Sequence, residues 1–219
     1  MADAGGRDAL LRLGARSVPV VARGDRFVFA QAIGDVAVFL GLDEHSGPLL
    51  SPAELAARCD HVLETAVRLI REMPDERLET RLPNRPRSWR VLMHHVFQIV
   101  VAYLDLEEQG VSLSYESLTL APPTEMRTGA AIADFGEGVR GRLAGWWRHA
   151  ADGDFARQVS TYFGETSRRE MLERTVWHAA QHTRQVAALL EQVGIVPDQP
   201  LTRDDLRGLP LTDRIWDET

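Results

Sequence analysis

Four long stretches of this chain place apolar residues at every third or fourth position, the period of a helix with one buried face. The clearest begins at Ser51, where SPAELAARCDHVLETAVRLIREM carries a stripe of Leu55, Cys59, Val62, Leu63, Ala66, Val67 and Ile70. Ser51 is a suitable cap, Pro52 fits the first turn, and Glu54 completes a capping box. SWRVLMHHVFQIVVAYLDLEEQG predicts a second helix closed by Gly110. AAIADFGEGVRGRLAGWWRHA predicts a third, weakened by its glycines. MLERTVWHAAQHTRQVAALLEQVG predicts a fourth, opened by a capping box of Ser167 and Glu170. Helices of this kind gain most of their stability by covering one another's stripes, so a mainly α fold with a four-helix bundle over residues 51–195 is expected.

The remaining segments are shorter. Residues 111–124 are polar and end in Pro122-Pro123, which predicts a loop, and DGDFARQVSTYFGET predicts a plain connector. Residues 196–219 give a short capped helix and a tail. Residues 1–42 read differently from the rest: a helical piece, DALLRLGA; two brief β-like runs, SVPVVA and DRFVFA, split by Arg23-Gly24; and a second helical piece, IGDVAVFLGL. This predicts a small α-β-β-α appendage, joined to the bundle by a turn-rich linker at 43–50.

Composition removes several classes of function. The formal net charge is −7, which argues against a nucleic-acid binder. All 25 cationic residues are arginine, so chemistry through a lysine Schiff base and a Walker-type phosphate loop are both excluded. The single cysteine, Cys59, leaves no internal disulfide, and its place on an apolar stripe marks it as an inert core thiol. With no membrane-length apolar run and no leader-like start, a cytoplasmic chain without membrane attachment is expected.

Two histidines, His178 and His182, stand four apart on the fourth helix. They share a stripe with Met171, Thr175, Val186, Leu189 and Val193, while Glu173, Arg174, Gln181, Arg184 and Glu191 fall on other faces. On the second helix the inward stripe runs Val91, Leu92, His95, Val96, Ile99 and Ala102, which puts His95 inside and His94 near the edge. Buried imidazoles need partners for their nitrogens, and a shared divalent cation is one solution; hydrogen bonds to polar neighbours are the other. His45, His61 and His149 fall on loops or polar faces and read as solvated.

SWRVLMHHVFQI followed by a helix bearing HAAQHTRQV resembles the DinB/YfiT-like superfamily, over about residues 51–195 in motif, helix order and helix length. The resemblance implies a divalent-metal site formed by His95, His178 and His182, with zinc as the expected ion and nickel or iron as others. It also implies a thiol S-transferase type of activity, in which a low-molecular-weight thiol such as mycothiol, bacillithiol or glutathione attacks a small electrophile. Activation of water for hydrolysis is a less favoured outcome. Homodimerisation follows from the same resemblance. The alternative is a metal-binding, stress-associated or scaffold protein without turnover.

The segment LRLGARSVPVVARGDRFVFAQAIGDVAVFLGL resembles the C-terminal half of a glutaredoxin, without the half that carries the CxxC. That resemblance implies that Val18 and Pro19 belong to a thiol-binding backbone; the alternative is a remnant that only packs on the bundle or builds a dimer. Arg85 and Arg184 are candidates to receive thiol carboxylates, because guanidinium groups suit bidentate contacts. Tyr162 and Tyr103 are candidate proton donors or orienters.

Overall fold

The computed structural model describes residues 4–15, 20–30, 36, 39–41, 50–82 and 86–216. The chain divides into two compact units at Leu49/Leu50. In the first, helix α1 (Ala4–Leu13) precedes an antiparallel hairpin of β1 (Val20–Arg23) and β2 (Arg26–Phe29). Val20 pairs with Phe29 and Arg23 with Arg26, and Gly24 supplies the positive φ that the tight turn requires. Val18, Pro19 and most of the expected closing helix lie outside the described residues.

The second unit is built on four long helices: α2 (Pro52–Glu72), α3 (Trp89–Gln109), α5 (Gly129–Ala150) and α6 (Arg168–Gln192). Helices α2 and α3 each pack mainly against α5 and α6, so α2 stands diagonally across the core from α3, and α5 from α6. The start signals operate as the sequence suggests. The Ser51 hydroxyl accepts the Glu54 N–H at 3.3 Å, and the Glu54 carboxylate accepts the Ser51 N–H at 2.7 Å. Ser167 and Glu170 repeat the arrangement at α6. Gly110, at φ 67°, closes α3. Every member of the α2 stripe is buried, Cys59 among them, and burial pushes that thiol up to about 12.

The glycines that weaken α5 as a sequence pattern have a packing reason. A Cβ on Gly136 would lie 2.3 Å from the Phe97 ring, and one on Gly129 would lie 2.6 Å from the Ile70 carbonyl oxygen. Small residues let α5 approach α2 and α3 at these two points.

Two connectors contain more structure than their sequences predict. The 111–124 loop includes a single-turn helix, α4 (Tyr115–Leu118), capped reciprocally by Ser114 and Ser117. The plain connector after α5 holds a second antiparallel hairpin, β3 (Gln158–Thr161) and β4 (Gly164–Ser167), which runs straight into the N-cap of α6. The helix and each of the two strands are four residues long, too short for either period to register. The short helix α7 (Arg203–Leu206) is capped by Thr202, as expected for the C-terminal segment. Among the described residues no helix is long and apolar enough to cross a membrane.

Candidate metal centre

Helices α3 and α6 are packed neighbours, so inward residues on one meet inward residues on the other. Their stripes bring His95, His178 and His182 together. One ring nitrogen from each lies within 4.8 Å of the other two, and the ring centroids are 4.9–5.4 Å apart. Two imidazole nitrogens on one tetrahedral ion sit roughly 3.3 Å apart, so the fold gathers the ligands close to that spacing.

All three rings are placed to use a cation. His95 keeps a hydrogen bond to the Leu118 backbone, and its pKa falls to about 4, first through burial and then through the charge of Arg87. His178 is pushed well below the ordinary imidazole value, again by burial first, then by His182 and Arg174. Its Nδ1 is buried and has no hydrogen-bond partner among the described residues. His182 Nδ1 lies 2.7 Å from the Gln185 side-chain oxygen. Neutral imidazole is the metal-binding form, and an anchored second nitrogen is the usual way a ligand ring is oriented. The donor set and the orphaned nitrogen of His178 therefore fit a divalent ion.

The surroundings of the cluster differ from their sequence reading in two places. Arg174, expected on an outer face, is 4 % exposed. It lies one turn before His178, donates to the Tyr162 hydroxyl at 3.1 Å, and sits over the Phe163 ring at 5.1 Å. The missed hairpin is responsible, because its two-residue turn, Tyr162-Phe163, covers this part of α6. His94, expected near an edge, is buried and stacked on Phe135 at 5.0 Å, because α5 closes over that side of α3. It does not belong to the three-histidine group.

The other candidates divide clearly. Tyr162 stands beside the cluster through Arg174, and its pKa is raised, chiefly by burial against the opposing charge of Arg174. Tyr103 is fully buried in the core with its ring edge-on to Trp146, two turns and more along α3 from His95. Its hydroxyl feels the charges of Glu107 and Arg168 rather than those of the histidines. Arg184 donates to the carbonyls of Thr212 and Asp213, at 2.8 and 2.9 Å, and is thereby committed to the C-terminal segment. Arg85 lies outside the described residues, whereas Arg87, on the same approach to α3, acts on both His95 and His178. His61 is half-exposed and pairs with Asp205 at 3.1 Å, and His149 is exposed. His45 lies outside the described residues.

Sequence reasoning did not single out Arg174, Gln185 or the Leu118 carbonyl as parts of this site. Gln185 follows His182 by three residues on a helix, a spacing that could have flagged it. The other two depend on connectors whose local structure left no period to read.

No protein-family model matches the chain, and no curated protein matches it. Fold and site therefore define its class: a mainly helical protein in which three histidines lie close enough to hold a metal ion.

Proposed function

We propose that this protein is a divalent-metal-dependent enzyme of the thiol S-transferase type, related to the DinB/YfiT-like superfamily that its histidine motifs resemble. Zinc is the favoured ion, with nickel or iron as alternatives, and the co-substrate is a low-molecular-weight thiol. We place the enzyme in the cytoplasm, as a homodimer. The observation that carries the reading is the meeting of three imidazoles, one of them with a buried nitrogen that no described residue satisfies.

A bound divalent cation favours thiolate over thiol, and hydroxide over water, so that a nucleophile is present at neutral pH. The chain's own residues supply the rest. Arg174 and Arg87 border the cluster with positive charge, which favours the approach of an anionic thiol. Tyr162 accepts a hydrogen bond from Arg174, and its raised pKa keeps its own proton in place at neutral pH. It is thus a donor to the electrophile or leaving group rather than a base. The Trp177 ring beside His178 and the Phe163 ring under Arg174 place apolar surface next to these groups.

Elemental analysis of the purified chain, followed by incubation with zinc, each of the three thiols and a generic electrophile, tests the proposal. Transfer should occur with at least one thiol and vanish in His178→Ala/His182→Ala. Activity that survives in the double variant rejects the metal's role. A metal-loaded protein inert with all three thiols supports the scaffold reading instead.

A further inference from the structure

We infer that the C-terminal segment 212–215 sets the tautomer of His182, acting through Gln185 as a positioning residue, and so decides whether that ring can serve as a metal ligand. The inference rests on the metal reading above and extends it to a part of the chain remote in sequence.

Two hydrogen bonds link the segment to the ring through Gln185. Gln185 Nε2 donates to the Ile215 carbonyl at 2.9 Å. A carbonyl oxygen only accepts, so the NH2 end of the amide must face Ile215. The other end, Oε1, therefore faces His182 and stands 2.7 Å from Nδ1. That oxygen also only accepts, which puts the imidazole proton on Nδ1 and leaves the lone pair on Nε2 for a cation. Without the Ile215 carbonyl the amide is at liberty to turn over. Its NH2 group would then face Nδ1, draw the proton to Nε2 and block the ligand position.

The segment that carries this carbonyl is fastened by other means. Gln181 Nε2 donates to the carbonyls of Ile215 at 2.7 Å and Arg214 at 3.2 Å. Arg184 donates to Thr212 and Asp213, and also to the Gln181 side-chain oxygen at 2.9 Å, which orients that amide in turn. Gln181, Arg184 and Gln185 lie on neighbouring positions of one face of α6, beside the His178–His182 stripe. Just upstream, Leu209 and Leu211 pack on the core and bring the segment to that face. Thus four consecutive carbonyls are captured by three side chains, one of which also holds a ligand ring.

The test uses the full-length chain and two measurements: zinc affinity by competition titration, and the His182 ring nitrogens by 15N NMR of the metal-free protein at pH 7.5. Metal-free wild type should show the Nδ1–H form of His182. Gln181→Ala/Arg184→Met loosens the segment while leaving Gln185 and all ligands in place. It should give mixed tautomers and about 10-fold weaker zinc binding, the size of effect typical for an outer partner of a ligand histidine. Gln185→Glu presents an acceptor whichever way it turns, so it should keep wild-type affinity within about 3-fold and make affinity indifferent to the loosening pair. An unchanged tautomer in the loosened variant overturns the inference. Equal weakening of zinc binding in the Gln185→Glu background also overturns it, because that pattern is general damage. A wild type that binds no zinc defeats the metal reading alone, and the tautomer measurement still decides the role of the segment.

Discussion

Helix α6 carries two buried arginines, six residues apart, in opposite electrostatic circumstances. Arg168 meets Glu107 of α3, whose side chain is 1 % exposed, and the Trp146 indole and the Asp154 carbonyl complete the arrangement. The bonds to Glu107 raise the Arg168 pKa, outweighing its burial. Arg174 meets the Tyr162 phenol beside three imidazoles, and its pKa falls because burial outweighs what Tyr162 returns. The first guanidinium is stabilised by folding and the second is penalised by it. Under the proposed function, the charge kept where the fold disfavours it, next to a gathered ligand set, is the one put to use, whereas the Arg168–Glu107 pair serves the architecture.

The largest effect expected from this contrast is at the compensated end. Glu107→Ala leaves Arg168 buried without its carboxylate and should destabilise by about 3–5 kcal/mol, read from the urea midpoint, with zinc stoichiometry unchanged in the folded fraction. Next comes acid sensitivity at the histidine end. His94, His95 and His178 are all depressed from the ordinary value of 6.5, the first two to about 4, with burial the leading cause in each. Below 6.5 the unfolded chain takes up protons that the folded chain refuses until about pH 4. Stability of the metal-free protein is therefore whole above 6.5 and should fall steadily as the pH drops toward 4, checked by urea titrations across that window.

Arg174→Met sharpens the comparison from the other side. It should leave stability at or above wild type, yet weaken thiol saturation or turnover by 10-fold or more on the order expected for a lost charged contact. A loss of stability like that of Glu107→Ala would erase the distinction between the two arginines. The smallest effect is at the two tyrosines. Tyr103→Phe removes a buried hydroxyl that has no hydrogen-bond partner among the described residues, and should be neutral or stabilise by up to ~1 kcal/mol, with activity intact. Tyr162→Phe should lower turnover while zinc stays bound.

Much of the architecture was legible because it is local. A capping box involves residues three apart, and an amphipathic stripe repeats within one turn, so Ser51, Ser167 and the inward positions of α2, α3 and α6 could be read directly. His95, His178 and His182 could be chosen by the same periodicity. Arg174 could not: its outward register is correct for a bare helix, and it is buried only because the β3–β4 turn folds over it. His94 was misplaced for a similar reason, since Phe135 arrives from α5. Arg184 looked like a carboxylate receptor and proved to be a clamp on carbonyls some thirty residues further along the chain.

Sequence alone thus determined where the long helices begin and end, which face each one buries, and which three imidazoles point inward, because each of those depends on neighbours within a turn or two. Tertiary structure decided which charges were compensated, which tyrosine stood near the histidines, and which amide oxygen faced His182. Those outcomes depend on distant backbone carbonyls and short connectors, whose positions are set by packing and leave no periodic trace in the order of the residues.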